Sequence, residues 1–167
     1  MNNIKPIIFY DSWVAKMLLM RGYSAITIMF MVLTKYKEQQ FSRRIETHET
    51  IHVCQWAETT LLAMFLSAVA LTIELLTKGT YLSASAAALS PLFYYLWYVA
   101  EYAVGLFVNS FRRCTVGISK LNESYYGVAF EEEAYTYQSD YSYPIERKPF
   151  AWVKFLGKFR AKRGGSQ

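Results

Sequence analysis

The sequence predicts a mainly α-helical membrane protein with one domain over residues 1–167, built on a membrane helical hairpin. Three observations predict this fold class. The composition is 53% hydrophobic and only 19% charged, which is more apolar than a typical soluble domain. The apolar residues form two long runs, and a β-branched run precedes both of them. Runs of this length indicate that lipid, rather than a large internal core, covers the apolar side chains.

The N-terminal part predicts a short interfacial helix followed by a β element. Residues 1–22 mix apolar and charged residues around Trp13, which is typical of a helix at a membrane surface. Residues 24–34, with the sequence SAITIMFMVLT, are β-branched and apolar without Gly or Pro, which predicts a strand. A strand over residues 25–33 offers an edge to which an extended peptide can pair. A buried structural strand and a re-entrant membrane segment are the alternatives.

One long helix carries a short motif and then continues into the first of two candidate membrane spans. The sequence from His48 to residue 76 contains neither Gly nor Pro. Its apolar part predicts a span at about 57–77, and an aromatic and apolar run predicts a second at about 82–109, each near or above the roughly 20 residues that cross the hydrocarbon. The short turn around Lys78 and Gly79 makes the two helices antiparallel.

The positive charges predict the orientation of this hairpin. All but one of the 18 Lys and Arg residues lie outside the turn, on the side that both termini share. The positive-inside rule therefore places both termini and the motif in the cytoplasm. The net charge of +5 favours anionic lipid headgroups as partners. Nucleic acid is not expected, because no nucleic-acid-binding module is recognisable.

The C-terminal segment predicts an interfacial helix. In residues 149–163, PFAWVKFLGKFRAKR, aromatic and aliphatic side chains recur at helical spacing with Lys and Arg around them. This pattern is typical of a helix on an anionic membrane surface. An amphipathic helix packed on the rest of the protein is the alternative. A homodimer, which would enlarge both the core and any cleft, is left open.

His48, Glu49 and His52 form the motif HExxH on the long helix. Positions i and i+4 project from one face, so the two imidazoles can bind one metal ion, and such ligands favour Zn²⁺ over other divalent ions. Glu49 lies beside them as a general base that takes a proton from the attacking water. The chain has only two histidines, and both fall in the motif. This favours a metal site over capping or surface histidines.

The third metal ligand must be a carboxylate or a thiolate, because no third histidine exists. An acidic cluster, 131–133, lies beyond the second span, and the hairpin brings it to the side of HExxH. This cluster is the leading candidate, and a solvated helix face is the alternative. Cys54 and Cys114 lack the spacing of metal ligands or of a disulfide framework, which predicts free thiols.

These motifs resemble those of the membrane gluzincins, in which HExxH is followed by membrane helices and then by a Glu-containing helix. That group includes bacterial heat-shock membrane proteases, prenyl-protein endopeptidases and antirepressor-type sensor peptidases. The chain is also similar to small bacterial membrane proteins with a closely similar HExxH and a later FExEAY, found here at 130–135. The resemblance covers roughly residues 24–140, although only the two motifs are specific. It implies a zinc metallopeptidase of the bacterial inner membrane with a peptide or protein substrate.

The resemblance also implies roles for individual residues. The gluzincin pattern reads ExxAD with its first Glu on the metal, which corresponds to Glu131 here. Tyr135 stands where the better-known gluzincins have an Asp that supports a histidine ligand. This departure keeps Glu133 as the alternative to Glu131. The implied assignment is three Zn²⁺ ligands and one general base: His48, His52 and Glu131, with Glu49 as the base.

Further polar residues allow two interpretations each. Glu101 lies inside the second span, where a carboxylate must be paired, be protonated or face a water-filled cavity. It is expected near the zinc site or opposite Gln55 or Thr59, or else as a protonated Glu bonded across the hairpin. The tyrosines of 135–143 are candidates for donating to an oxyanion at the zinc. Their alternative is the membrane interface, where tyrosine is enriched.

Two functions therefore compete. The first is a membrane-bound zinc endopeptidase that cuts peptides at the cytoplasmic surface. The second is a non-catalytic membrane sensor or scaffold with a structural metal site. Small size leaves little protein to shape a cleft, and Tyr135 lacks the carboxylate of an Asp, so both features favour the second. The substitution Glu49→Gln distinguishes them, because only the peptidase depends on a general base.

Overall fold

The computed structural model describes residues 5–19, 22–77, 82–111 and 118–158, and the chain is mainly helical with a small sheet near its N-terminus. Three strands, seven α-helices and three short 3-10 turns are described. The strands are β1 Ile7–Phe9, β2 Ala25–Ile28 and β3 Met31–Thr34. The α-helices are α1 Trp13–Leu18, α2 Arg43–Thr77, α3 Leu82–Ala88, α4 Phe93–Phe111, α5 Ile118–Tyr126, α6 Ala129–Tyr137 and α7 Tyr143–Glu146, and the 3-10 turns are Glu38–Gln40, Ser90–Leu92 and Ala151–Phe155.

The β element is a hairpin rather than a single strand. The run 24–34 folds as β2 and β3, which pair antiparallel, and β1 adds to β3 in parallel to give the order β1-β3-β2. The turn between them contains Met29 at a left-handed φ of 58°, which non-glycine residues rarely adopt. The Met29 N–H donates to the hydroxyl of Tyr95, at 2.6 Å, and this bond fixes the turn. In the described sheet, β2 is an edge strand.

The long helix predicted from HExxH is present as α2. At 1.5 Å per residue its 35 residues extend over about 52 Å. Its buried residues lie between Thr47 and Ala63, whereas the later turns expose apolar side chains such as Leu76. Two helical segments, Arg43–Thr77 and Ser90–Phe111, are long and apolar enough to cross a membrane. Only 17% and 11% of their most apolar windows are buried, unlike the core helix of a soluble protein.

The second predicted span is interrupted. Residues 82–109 form α3 and α4 with a 3-10 turn between them, because Pro91 has no N–H and cannot continue a helix interior. The Trp56 indole donates to the Pro91 carbonyl, at 3.0 Å, so this break lies against α2. The predicted turn around Lys78 and Gly79 lies outside the described residues.

The C-terminal segment packs into the protein core. Instead of an α-helix, residues 151–155 form a 3-10 turn whose Trp152 and Phe155 are buried with Tyr94 and Phe130. Phe130 stacks on Tyr94 with ring centroids 4.7 Å apart, and Trp152 meets Phe130 edge-on at 4.8 Å. Trp152 and Phe155 therefore pack against aromatic rings of the protein and not against lipid. The end of the predicted helix, residues 159–163, lies outside the described part of the chain.

Candidate metal centre

Three buried side chains converge where α2 meets α6. His48 and His52 lie one turn apart on α2, and their Nε2 atoms are 3.1 Å apart. Glu131, in the first turn of α6, places Oε2 3.5 Å from His48 Nε2 and Oε1 3.4 Å from His52 Nε2. One ligand atom from each residue lies within 4.8 Å of the other two, and this group has the geometry to hold a metal ion.

The spacing and the unmet polar atoms of this group fit a cation. Ligands at about 2.0–2.1 Å from a tetrahedral ion lie about 3.3 Å from one another, close to the separations between the three side chains. Glu131 Oε2 is buried and has no hydrogen bond of ordinary length among the described residues, since His48 Nε2 lies 3.5 Å away, and a buried oxygen of this kind is costly unless something else satisfies it. Burial alone would raise the pKa of Glu131, but His52 and His48 hold it well below its usual range. The carboxylate is therefore ionised, as a metal ligand must be.

Glu49 is positioned by the edge strand rather than by the histidines. Its Oε2 accepts a hydrogen bond of 2.7 Å from the Thr27 hydroxyl of β2, and the Thr27 hydroxyl also lies 3.4 Å from the Glu49 carbonyl oxygen. The Glu49 side chain is buried and lines the same cavity as both histidines. The strand thus fixes the carboxylate next to the group formed by His48, His52 and Glu131.

Gln55 orients His52. The Nδ1 atom of His52 lies 2.8 Å from the Gln55 side-chain oxygen, which only accepts, so Nδ1 carries the proton and Nε2 is left for the metal. The Gln55 amide in turn donates to Glu133 Oε2, at 2.9 Å, and to the Phe130 carbonyl, at 3.0 Å. Gln55 thereby holds His52 in place. Tyr135 contacts His48 through its ring, 4.5 Å away.

Glu133 points away from the histidines into a buried ion-pair network. Arg147 Nε donates to Glu133 Oε1 at 3.0 Å, and its Nη1 donates to Glu58 at 2.5 Å. Tyr143 donates to the same Glu133 oxygen, at 2.9 Å. Burial would lower the pKa of Arg147, but Glu133 and Glu58 raise it above its usual range. Of the two carboxylates that the sequence left open, the structure brings only Glu131 to the histidines.

The sequence interpretation named Gln55 only as a partner of Glu101, and it missed Glu58 and Arg147. The contact of Gln55 with His52 could have been predicted, because Gln55 lies three positions after His52 and so shares its helix face. The contact of Arg147 with Glu58 could not, since 89 positions separate the two residues. Only the folded chain shows that these charges meet.

Two recesses open beside the metal centre. The first, the apolar recess, has a volume of about 390 Å³ and is lined by aromatic and aliphatic side chains together with His48, Glu49, His52 and Glu131. The second, the polar recess, has about 110 Å³. Its lining includes Gly22, Ser24, Tyr135 and Gln138.

The tyrosines at the apolar recess come mostly from elements other than the one expected. Tyr94, Tyr95 and Tyr98 of α4 and Tyr125 of α5 line this recess. Tyr98 donates to Glu131 Oε1 at 3.0 Å, and the Tyr94 hydroxyl lies 3.2 Å from His52 Nδ1. Of the tyrosines in 135–143, only Tyr135 lines either recess, and it lines the polar one.

Glu101 lies away from the metal centre. It borders an apolar groove of about 290 Å³ between α4 and the C-terminal segment, with Trp97, Val104 and Leu156. Its carboxylate oxygens are buried and accept no hydrogen bond from the described residues. The partners expected across the hairpin are engaged elsewhere, since Gln55 binds His52 and Glu133.

Cys54 takes no part in the metal centre that the structure describes. Cys54 is a buried free thiol on α2, which confirms that prediction. Cys114 lies outside the described residues.

No protein-family model matches the chain. Neither a curated protein nor a solved structure is significantly similar to it. The resemblance to membrane gluzincins therefore rests on the two sequence motifs and stays a prediction. The structure adds a geometric fact that is independent of any resemblance, namely the convergence of His48, His52 and Glu131.

Proposed function

We propose that this protein is a membrane-bound zinc metallopeptidase that hydrolyses peptide bonds at the membrane surface. The observation that carries the proposal is the position of Glu49, which lines an open apolar recess together with His48, His52 and Glu131. A purely structural metal site is closed by its ligands, whereas a catalytic site keeps an open position for substrate. The recess supplies that access.

Each residue has one task in this proposal. His48, His52 and Glu131 would hold Zn²⁺, which would polarise the scissile carbonyl and lower the pKa of a bound water. Glu49 takes a proton from the attacking water and later returns it to the leaving amine. Thr27 keeps the Glu49 carboxylate oriented through its hydroxyl. Gln55 keeps His52 in the tautomer that leaves Nε2 free.

The edge strand β2 offers a place for the substrate backbone. The register pairs Ile28 with Met31 next to the two-residue turn and Ile26 with Leu33 two positions away. In an antiparallel hairpin of this type these are the hydrogen-bonded pairs, so the backbone groups of Ala25 and Thr27 point away from β3. A peptide that pairs with them lies directly beside Glu49.

The apolar surface supports a place in the membrane. Apolar side chains are exposed along the second half of α2 and along α4, including Leu66, Leu96 and Phe107. On α1, Trp13 and Met17 are 71% and 68% exposed, as expected of a helix lying in a membrane interface. The charge distribution of the sequence supports cytoplasmic termini, and the motif resemblance supports a bacterial inner membrane.

The proposal is tested by hydrolysis of a peptide library with the zinc-loaded protein in detergent. Glu49→Gln is expected to keep the metal and to lower the hydrolysis rate by about 100-fold or more, because it removes the general base. Glu46→Gln, an exposed position on the same helix, is the matched control and keeps both properties. A folded, zinc-loaded native chain without hydrolysis would instead support the non-catalytic sensor or scaffold. Equal rates for native and Glu49→Gln protein would exclude the mechanism.

A further inference from the structure

The two recesses lie in a fixed order along β2. Gly22 and Ser24 line the polar recess alone, and Ile26 and Thr27 line the apolar recess alone. Both recesses share five residues in their linings: Tyr23, Ala25, His48, Glu49 and Tyr125. The candidate catalytic group therefore stands between a polar recess, at the start of the strand, and an apolar recess, towards its end.

The recesses differ in size as well as polarity. The apolar recess has about 390 Å³, and the side chains around it include Leu18, Leu19 and the ring of Tyr95. The polar recess has about 110 Å³ and includes Ser24 and Gln138. A large aliphatic or aromatic side chain gains burial only in the first recess. A small or polar side chain fits the second without losing hydrogen bonds.

Strand direction decides which part of a peptide enters which recess. A peptide added to the outer edge of β2 pairs most favourably in the antiparallel sense. Its N-terminal part then lies towards Ile28, next to the apolar recess, and its C-terminal part lies towards Ser24, next to the polar recess. The bond opposite His48 and Glu49 falls between the two.

We propose, building on the proposed function, that the site selects peptides with a large apolar residue immediately before the scissile bond and a small or polar residue immediately after it. The specificity-determining side chains are Leu19, on the apolar side, and Ser24, on the polar side. The zinc ligands are shared by every substrate and contribute no such preference.

Binding is measured first, so that selectivity is separated from chemistry. The probes are two fluorescent peptides of identical composition, one with Leu-Ser and one with Ser-Leu at the centre. With the zinc-loaded Glu49→Gln protein, Leu-Ser is expected to bind about tenfold more tightly, as fluorescence anisotropy would show. Equal binding, reversed binding or no binding of either peptide overturns the inference.

Recess variants test the assignment of the two sides. Leu19→Trp narrows the apolar recess, so that a leucine side chain of the peptide buries less apolar surface there. The preference for the Leu-Ser peptide is therefore expected to fall from about tenfold to about threefold or less. Ser24→Leu is the matched variant in the polar recess and shifts only the residue accepted after the bond. Circular dichroism and metal content confirm that each variant is folded. A folded Leu19→Trp protein with unchanged preference contradicts the assignment.

Hydrolysis by the native chain then distinguishes the two proposals. Mass spectrometry of the products is expected to locate cleavage after the apolar residue, and cleavage before it would overturn the inference while leaving the peptidase intact. Preferential binding without any hydrolysis overturns the proposed function alone. The binding preference of the site would then stand as the selectivity of a peptide receptor.

Discussion

Two buried polar clusters lie on either side of Gln55, and they are built differently. In the metal centre, His48, His52 and Glu131 face one another, and one Glu131 oxygen has no hydrogen bond of ordinary length within the part of the chain that the structure describes. In the ion-pair network, Arg147 donates to Glu133 and Glu58, so that donors and acceptors match. The charge of Glu131 is compensated by histidines, which a metal cation can replace as the positive partner, whereas the second cluster is compensated by an arginine.

A buried ligand site and a buried structural ion pair differ in whether all their polar atoms have partners within the protein. Both clusters are buried and both contain a Glu of α6, and composition alone does not distinguish them. The difference is the presence of Arg147, which compensates two carboxylates at once. Buried charges are tolerated only when they are paired. Glu131 is paired with two histidines, which can give up a proton and bind a metal, whereas Glu133 is paired with an arginine, which cannot.

The largest expected effect is on stability. Arg147→Met leaves Glu58 and Glu133 buried without compensation, and we expect the free energy of unfolding to fall by about 3–5 kcal/mol. Denaturant unfolding in detergent measures it. Arg43→Met is the control, because Arg43 is exposed and only stacks on Tyr141. Its cost is expected to stay within about 0.5 kcal/mol. Equal losses for the two variants would show that the network is not structural.

The metal centre is expected to respond less to the loss of one charge and more to zinc. Without metal, Glu131→Gln is expected to lower the free energy of unfolding by about 1–3 kcal/mol, because it removes the carboxylate that pairs with His52. Zn²⁺ at 1,000 times its dissociation constant stabilises the native chain by about 4 kcal/mol, and this increment disappears in Glu131→Gln. Thermal unfolding with and without zinc measures it. An increment that survives in Glu131→Gln would place the metal elsewhere.

Gln55 contacts both clusters, and its replacement tests how far the metal centre depends on that contact. Gln55→Leu removes the acceptor for His52 Nδ1, and a loss of this kind of support lowers metal affinity by about 10–100-fold. Competition with a fluorescent chelator measures the affinity. Gln55→Glu restores an acceptor but places a second carboxylate against Glu133, so it is expected to recover only part of the affinity. If both variants bind zinc like the native chain, Gln55 does not orient the histidine.

The pH dependence of metal binding is expected to be the smallest effect. Burial would lower the pKa of His52, but Glu131 raises it to about 9, so zinc must displace a proton from this imidazole at neutral pH. Lowering the pH from about 7 to about 6 is therefore expected to weaken zinc binding by about tenfold. The Glu131 carboxylate itself takes up no proton in this range, because its pKa stays well below its usual value. Its share of the affinity is lost only at more acidic pH, as the pH falls towards that lowered pKa. Affinity that is constant from about pH 7 to about pH 6 would contradict ligation by the histidines.

Local patterns predicted the parts of the fold that depend on nearby residues. An uninterrupted run from His48 predicted α2, and the i, i+4 spacing of the histidines predicted their common face. The choice of Glu131 followed from the motif resemblance. The hairpin turn was missed, because it contains Met29 where Gly or Asn is usual. The break in the second span was signalled by Pro91, and the strength of the apolar run obscured it.

Other features depend on distant partners and carry no local signal. Strand β1 pairs with β3, and its three residues are too short to be recognised without that partner. The C-terminal aromatics have the spacing of an interfacial helix, but Trp152 and Phe155 pack against Tyr94 and Phe130. Side chains that suit lipid also suit an aromatic core, so the pattern allows both outcomes.

The most direct test of the central claim is the metal content of the detergent-purified protein. The native chain is expected to hold roughly one zinc per chain, and His52→Ala and Glu131→Ala are expected to hold none. Glu132→Ala, next to the proposed ligand on the same helix, is expected to keep the metal. A folded native chain without metal, or one whose zinc survives Glu131→Ala, would contradict the claim that these three side chains form a metal centre.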